Sequence, residues 1–251
     1  MPRVVCIIPA RYESTRFAGK PLADMGGNPM IQRVYERVMR CRLIREVAVA
    51  TDDERICRAV EAFGCRVIMT AATHRSGTDR IAEAVDSMDL EDEDIVVNVQ
   101  GDQPLVEPAQ IEEVTAPLLH DASLPFATLV YEIRRHEEIT HPNAVKVVFD
   151  RDGFALYFSR STIPFARNDK DPRYYKHHGI YAYRRSFLPV FAGLETGRLE
   201  RIESLEQLRA IEHGYRIKVV ISEYDSPEVD TPEELERAVR EMTGESGPRG
   251  A

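Results

Sequence analysis

Several features that would mark a membrane, secreted or nucleic-acid-binding protein are missing from this sequence. No run approaches the ~20 consecutive apolar residues that a bilayer span needs. The apolar stretch Val4 to Ala10 is too short for the core of a secretory leader and runs straight into Arg11. Four cysteines in 251 residues, with no C-x-x-C pair, do not make a disulfide framework. Cys6, Cys41, Cys57 and Cys65 therefore read as core thiols. Positive charge is also short: 33 Lys and Arg stand against 42 Asp and Glu, a formal net charge of −9. That balance lacks the broad positive field nucleic-acid binding requires, although one cleft can still be basic enough to hold a polyanion. Glycine (14) and proline (15) are too few for a collagenous or low-complexity chain. The expectation is a reduced, soluble, cytoplasmic protein.

Common catalytic signatures are absent as well. Gly19-Lys20 is followed by Pro21 where a Walker A loop has Ser or Thr. There is no G-x-G-x-x-G, which removes the main support for hydride transfer, and no G-x-S-x-G for a hydrolase elbow. His136 and His141 are one residue too far apart for the H-E-x-x-H pattern that puts two imidazoles on one helix face.

What is present alternates between strand and helix. Val4–Pro9, Glu46–Ala50, Arg66–Met69 and Ile95–Val99 are apolar runs of the kind found in parallel strands covered on both faces. Between them, Pro29 opens a helix through Met30, Ile31, Val34 and Val38. Asp52 and Asp53 can cap a second helix, which stops at Gly64, and Gly77–Met88 forms a third. This repetition predicts an α/β fold with a doubly wound, mostly parallel sheet. The second half is richer in β signals. Ala144–Phe149 and Phe154–Phe158 flank the turn Asp150-Arg-Asp-Gly153, Ile180–Tyr183 reads as a strand, and Ile202–His213 reads as one amphipathic helix. Tyr215–Ser222 follows as a strand, and Thr231 and Pro232 start the helix Pro232–Met242. No linker or repeat is visible. One domain over residues 1–243 is expected, with a β-rich insertion at roughly 126–185 and a flexible tail at 244–251.

Two segments carry chemistry. The loop after the first strand, Pro9-Ala-Arg-Tyr-Glu-Ser-Thr-Arg-Phe-Ala-Gly-Lys-Pro21, puts Arg11, Arg16 and Lys20 at the carboxyl edge of the sheet. Ligands of open α/β sheets bind at that edge, and three cations among small residues suit a triphosphate. A solvated basic loop would have the same composition. The second segment, Asn98-Val-Gln-Gly-Asp-Gln-Pro104, delivers Asp102 to the same edge. A carboxylate there can cap a turn or hold Mg²⁺, which uses one or two carboxylates together with substrate phosphates.

The opening Ile7-Ile-Pro-Ala-Arg-Tyr-Glu-Ser-Thr-Arg-Phe-Ala-Gly-Lys-Pro-Leu22 resembles the signature of the CMP-sugar-acid synthetases. His74–Arg80, Asn98–Pro104, Ala155–Arg160, His178–Tyr181, Glu203–Arg209 and Val229–Leu235 narrow the resemblance to the branch of that family that activates 3-deoxy-manno-octulosonate (Kdo). The resemblance implies a Rossmann-like nucleotidyltransferase that converts CTP and Kdo to CMP-Kdo and pyrophosphate with Mg²⁺, in lipopolysaccharide synthesis. It also implies a homodimer with no nucleic-acid partner and no membrane insertion. By the same resemblance, Ala10, Arg11, Ser14, Arg16, Lys20, Ser76 and Gly77 bind the nucleotide, and Asp102 and Asp230 hold the metal. Arg11, Lys20, Asp102 and Asp230 form the catalytic set. The sugar falls to Gln100, Arg160, Arg167, His177, Tyr181, Glu203 and Gln207, with Glu203 and Gln207 expected on one helix face; His178 competes with His177 for that contact. Three alternatives stay open. They are another 2-keto sugar acid, either 8-amino-Kdo or a sialic-acid-like one; a glycosyltransferase using Asp150-Arg-Asp152; and a catalytically silent nucleotide- or sugar-binding module.

Overall fold

The first strand, β1 (Val4–Ala10), is buried along its whole length. It lies between β2 (Ile44–Thr51) and β4 (Ile95–Asn98), parallel to both, and β3 (Arg66–Met69) extends the parallel array beyond β2. The computed structural model describes residues 2–13, 17–74 and 76–243. Alternate side chains of β1 enter two different cores. Cys6 and Ile8 pack with Ile31 and Val34, while Val5 and Ile7 pack with Ile81 and Val85. The sheet is therefore covered on both faces, which is why the strand is apolar without alternation. Cys6, Cys41 and Cys65 are buried in the first of these cores, and burial pushes the Cys65 thiol up to about 12.

The first helix follows Pro29, and the next two begin at side-chain caps. In α1 (Met30–Val38), Met30, Ile31, Val34 and Val38 are buried. At α2 (Glu54–Ala62) the Asp53 carboxylate accepts from Arg55 N at 2.8 Å, and the chain leaves through Gly64 at φ 76°. At α3 (Gly77–Asp86), Ser76 Oγ accepts from Asp79 N at 3.1 Å.

After α4 (Pro108–His120) come β5 (Phe126–Glu132), the short α5 (His136–Thr140), β6 (Lys146–Phe149), β7 (Ala155–Ser159) and β8 (Tyr175–Arg184). The chain ends with α6 (Phe187–Ala192), α7 (Arg198–Glu203), α8 (Gln207–Glu212), β9 (Lys218–Ser222) and α9 (Pro232–Thr243). The strand order is β3-β2-β1-β4-β8-β5-β9, and β8 alone runs opposite to the others on that path. The sheet is thus mostly parallel, as expected. Both β5 and β8, at the ends of the anticipated insertion, are central strands. The part that stands off is the β6–β7 hairpin, which turns through Gly153 at φ 73°.

One expected element divides. The anticipated helix Ile202–His213 is two short helices, because Ser204 adopts left-handed backbone angles (φ 52°, ψ 50°) and ends α7. Glu203 and Gln207 consequently do not share a helix face. No helix among the described residues is long and apolar enough to cross a membrane.

Candidate active site

A cavity of about 250 Å³ opens at the carboxyl ends of β1 and β4. Ala10 and Arg11 reach it directly from β1, and Ser76 and Gly77 reach it from the start of α3. Lys20 enters from a short 3₁₀ turn, Lys20–Leu22. Gly19 N donates to Tyr12 O at 2.8 Å to close that loop, and the Arg55 guanidinium stacks 3.3 Å above the Tyr12 ring. Gly19 itself has φ 70°, so a side chain there would be strained. Ser14 and Arg16, also expected at the nucleotide, lie outside the described residues, as does the 244–251 tail.

Gln100, Gly101 and Asp102 come from the loop after β4. Gln100 Nε2 donates to Asn98 Oδ1 at 3.1 Å and to Gly179 O at 3.4 Å, which ties the loop to β8. At Gly101 a Cβ would sit 3.1 Å from Pro9 O, so the close approach to β1 is tighter than an ordinary side-chain contact and favours glycine. Asp230 arrives from the turn before α9. There Thr231 Oγ1 accepts from Glu234 N (3.2 Å) while the Glu234 carboxylate accepts from Asp230 N (2.7 Å) and Thr231 N (3.1 Å). Thr231 thus caps the helix, and the Asp230 carboxylate turns to the cleft.

The two acids meet on one ammonium. Lys20 Nζ lies 2.6 Å from Asp102 Oδ2 and 3.0 Å from Asp230 Oδ1. Burial works to lower the Lys20 pKa, but the two carboxylates outweigh it and the pKa is raised. The other oxygen, Asp102 Oδ1, is buried with no hydrogen-bond partner among the described residues. Two convergent carboxylates, a cation already between them and an orphaned oxygen form a donor set that fits a hard divalent ion sharing phosphate and water ligands. Among the described residues no group of three or more His, Cys, Asp or Glu could hold a metal without such help.

Three ionisable lining residues were not anticipated as site residues. Arg80 is 4% exposed, pairs with Asp52 at 3.1 Å and also bonds Thr70. His74 bonds Glu83. Glu228 faces Gly179, where a Cβ would meet its Oε1 at 2.9 Å. Arg80 and His74 bound a motif already singled out, whereas nothing local marks Glu228 apart from its nearness to Asp230.

Of the residues expected at the sugar, Gln100 lines the first cavity and the other six are not among its lining residues. His177 and Tyr181 lie on one face of β8 with ring centroids 5.3 Å apart, and His177 Nε2 is 2.9 Å from Thr128 Oγ1. Burial, aided by His178, lowers the His177 pKa to about 3, so its imidazole is neutral. His178 points to the other face, 3.6 Å from Asp225. Arg160 and Glu203 instead bond each other. Glu203 accepts from Ser159 Oγ (2.7 Å) and Arg160 N (2.9 Å), while the Arg160 guanidinium donates to Glu203 O (2.7 Å), Pro142 O (3.1 Å) and Ser204 O (3.4 Å). They staple the hairpin to α7. Arg167 is exposed before β8. Gln207 is buried at the start of α8, with its Nε2 lacking a partner among the described residues. Its neighbour Glu206, also not anticipated, accepts from Thr78 Oγ1 at 2.8 Å, and burial raises its carboxyl pKa. Glu206 lines a second cavity of about 510 Å³ that shares Ser76 with the first.

A family model described as cytidylyltransferase matches residues 5–218. The chain belongs to the cytidylyltransferase family. Within it, the chain is 69% identical over 238 residues to a 3-deoxy-manno-octulosonate cytidylyltransferase of Syntrophus aciditrophicus, covering 94% of this chain and 96% of that one. It is 55% identical over 233 residues to an 8-amino-3,8-dideoxy-manno-octulosonate cytidylyltransferase of Shewanella halifaxensis, covering 92% and 95%. A solved structure of CMP:2-keto-3-deoxy-manno-octonic acid synthetase complexed with CTP matches with a TM-score of 0.91 at 45% identity, over 97% of this chain and 100% of that one. This cytidylyltransferase is therefore an enzyme with the α/β fold of its relatives. The silent-module and glycosyltransferase alternatives are set aside.

Proposed function

We propose that this cytidylyltransferase transfers the cytidylyl group of CTP to the 2-hydroxyl of Kdo, forming CMP-Kdo and pyrophosphate. The observation that carries the reading is the meeting of Lys20, Asp102 and Asp230 at one cleft, in a chain 69% identical to a Kdo cytidylyltransferase over 94% of its length. The 8-amino acceptor is named for a relative at 55% identity and is the second choice.

Displacement at the α-phosphorus demands positioning and charge neutralisation more than covalent chemistry. Arg11 and Lys20 supply positive charge beside the triphosphate, and the start of α3 at Ser76 and Gly77 presents backbone N–H groups to the nucleotide. Asp102 and Asp230 would hold Mg²⁺. Bound there, the ion would act as a Lewis acid on the phosphate and favour the attacking alkoxide. On the sugar side, Gln100, His177, Tyr181 and Gln207 offer neutral donors and acceptors to hydroxyls. Arg167 offers an exposed cation to the carboxylate, and Arg160 and Glu203 fix the hairpin beside it.

The same reading makes the protein a cytoplasmic homodimer serving lipopolysaccharide synthesis. Leu156 on β7 and Phe165 beyond it are 58% and 87% exposed, which supports an interface at the hairpin. Pyrophosphate release from CTP, measured with a panel of 2-keto sugar acids, tests the proposal. The fastest release is expected with Kdo, and none with Kdo would overturn the reading.

A further inference from the structure

Asp102 and Asp230 are fixed close together by the backbone. Val229 N donates to Asp102 O at 2.9 Å, so the residue before Asp230 is tied to Asp102 itself. Two carboxylates held this way repel each other unless a cation lies between them. In the structure that cation belongs to the chain: Lys20 Nζ contacts one oxygen of each acid, at 2.6 and 3.0 Å. The side chains of Lys20, Asp102 and Asp230 are 12%, 23% and 19% exposed, so solvent screens the contact only in part. A divalent ion held by the same two oxygens would have to displace the ammonium. The lysine also lines the cavity together with Arg11, where the triphosphate would lie. A triphosphate is the stronger claimant for a lysine, because it offers several charged oxygens at once.

We infer that Lys20 is an exchangeable counter-ion: it holds the Asp102–Asp230 pair against divalent cations until nucleotide phosphates draw it away and release the acids to the metal. The inference rests on the metal role proposed above for the two acids. It makes metal and nucleotide binding mutually reinforcing through the protein, beyond the affinity of the ion for the nucleotide in solution. By linkage the coupling is reciprocal.

The test titrates Mn²⁺ alone, without nucleotide, and reads bound ion by electron paramagnetic resonance. Lys20→Met should bind Mn²⁺ about tenfold more tightly than the wild type, within the usual range of site coupling. Lys20→Gln should do the same, so the test survives if one variant fails to fold. Lys20→Arg, which keeps the charge, should match the wild type. Adding Asp230→Asn to Lys20→Met should abolish the gain. Unchanged or weaker Mn²⁺ binding in the neutral variants overturns the inference, and so does a gain that persists with Asp230→Asn. The metal assignment fails separately if Mn²⁺ binding in the presence of a non-hydrolysable CTP analogue is insensitive to both Asp102→Asn and Asp230→Asn.

Discussion

Val229 donates its amide to the carbonyl of Asp102 at 2.9 Å, and through that bond two acids far apart in sequence become neighbours. The loop after β4 and the turn before α9 are joined at the backbone, so the separation of the carboxylates does not depend on side-chain packing alone. Asp102→Asn and Asp230→Asn should each reduce kcat by about two orders of magnitude or more, since a charge at the reacting phosphate is worth several kcal/mol. Circular dichroism should show both variants folded. Steady-state pyrophosphate assays across a Mg²⁺ series check the result, and undiminished turnover in either variant would remove that acid from the metal.

Lys20→Ala should weaken CTP binding by about tenfold or more, because it deletes a charge-assisted contact to phosphate. Calorimetric titration with CTP reads the change directly. Equal affinity would take Lys20 out of the nucleotide site.

Gly101→Ala should lower kcat/KM by up to about tenfold without unfolding the chain. The added Cβ would lie 3.1 Å from Pro9 O, a backbone atom that cannot rotate aside, and the loop bearing Asp102 must shift. The shift demanded is a few tenths of an ångström, less than the ~1 Å misplacement at reacting groups that costs about a hundredfold, so the loss is smaller. Kinetics paired with a thermal melt separate misplacement from unfolding.

Two histidines give stability a pH dependence. Burial lowers the His178 pKa to about 4, with Lys176 adding to the effect and Asp225 opposing it; His177 falls to about 3. Both are near 6.5 in the unfolded chain, so below that pH the unfolded state binds protons that the folded state refuses. Stability should be fully present above about pH 6.5 and decline as pH falls toward 4, by up to about 1.4 kcal/mol per pH unit for each ring. Denaturant midpoints at pH 7, 6, 5 and 4 measure the slope, and His178→Leu should flatten it. A slope unchanged by that substitution would mean other groups govern it.

Much of the parallel half was legible because local signals and tertiary packing agree there. Val4 to Ala10 reads as a doubly covered strand and is one; Asp53 reads as a cap and accepts from Arg55 N. Lys20 and Asp102 are legible from their place after apolar strands and Asp230 from the family resemblance, and the structure brings Lys20 within hydrogen-bond distance of both acids. Other features leave no local trace. Ser204 breaks the helix over 202–213 through left-handed angles that no Gly or Pro announces. The 13-residue α4 contains Pro117, which sequence rules treat as a terminator. The resemblance reads Arg160 and Glu203 as sugar ligands, but their hydrogen bonds to each other between the hairpin and α7 depend on the fold. Glu228 and Glu206 enter the clefts only because β8 and α3 pack where they do.

The position of β8 also bears on how the chain matures. Among the described residues it is the strand that joins β4 to β5 in the sheet, yet it follows both in synthesis. As the polypeptide emerges from the ribosome, β4 displays an open edge until residues 175–184 have followed it out, and such edges invite pairing with other chains. Translation that stalls before that segment should leave a sticky, protease-sensitive fragment, while a few dozen further codons allow the gap to be filled.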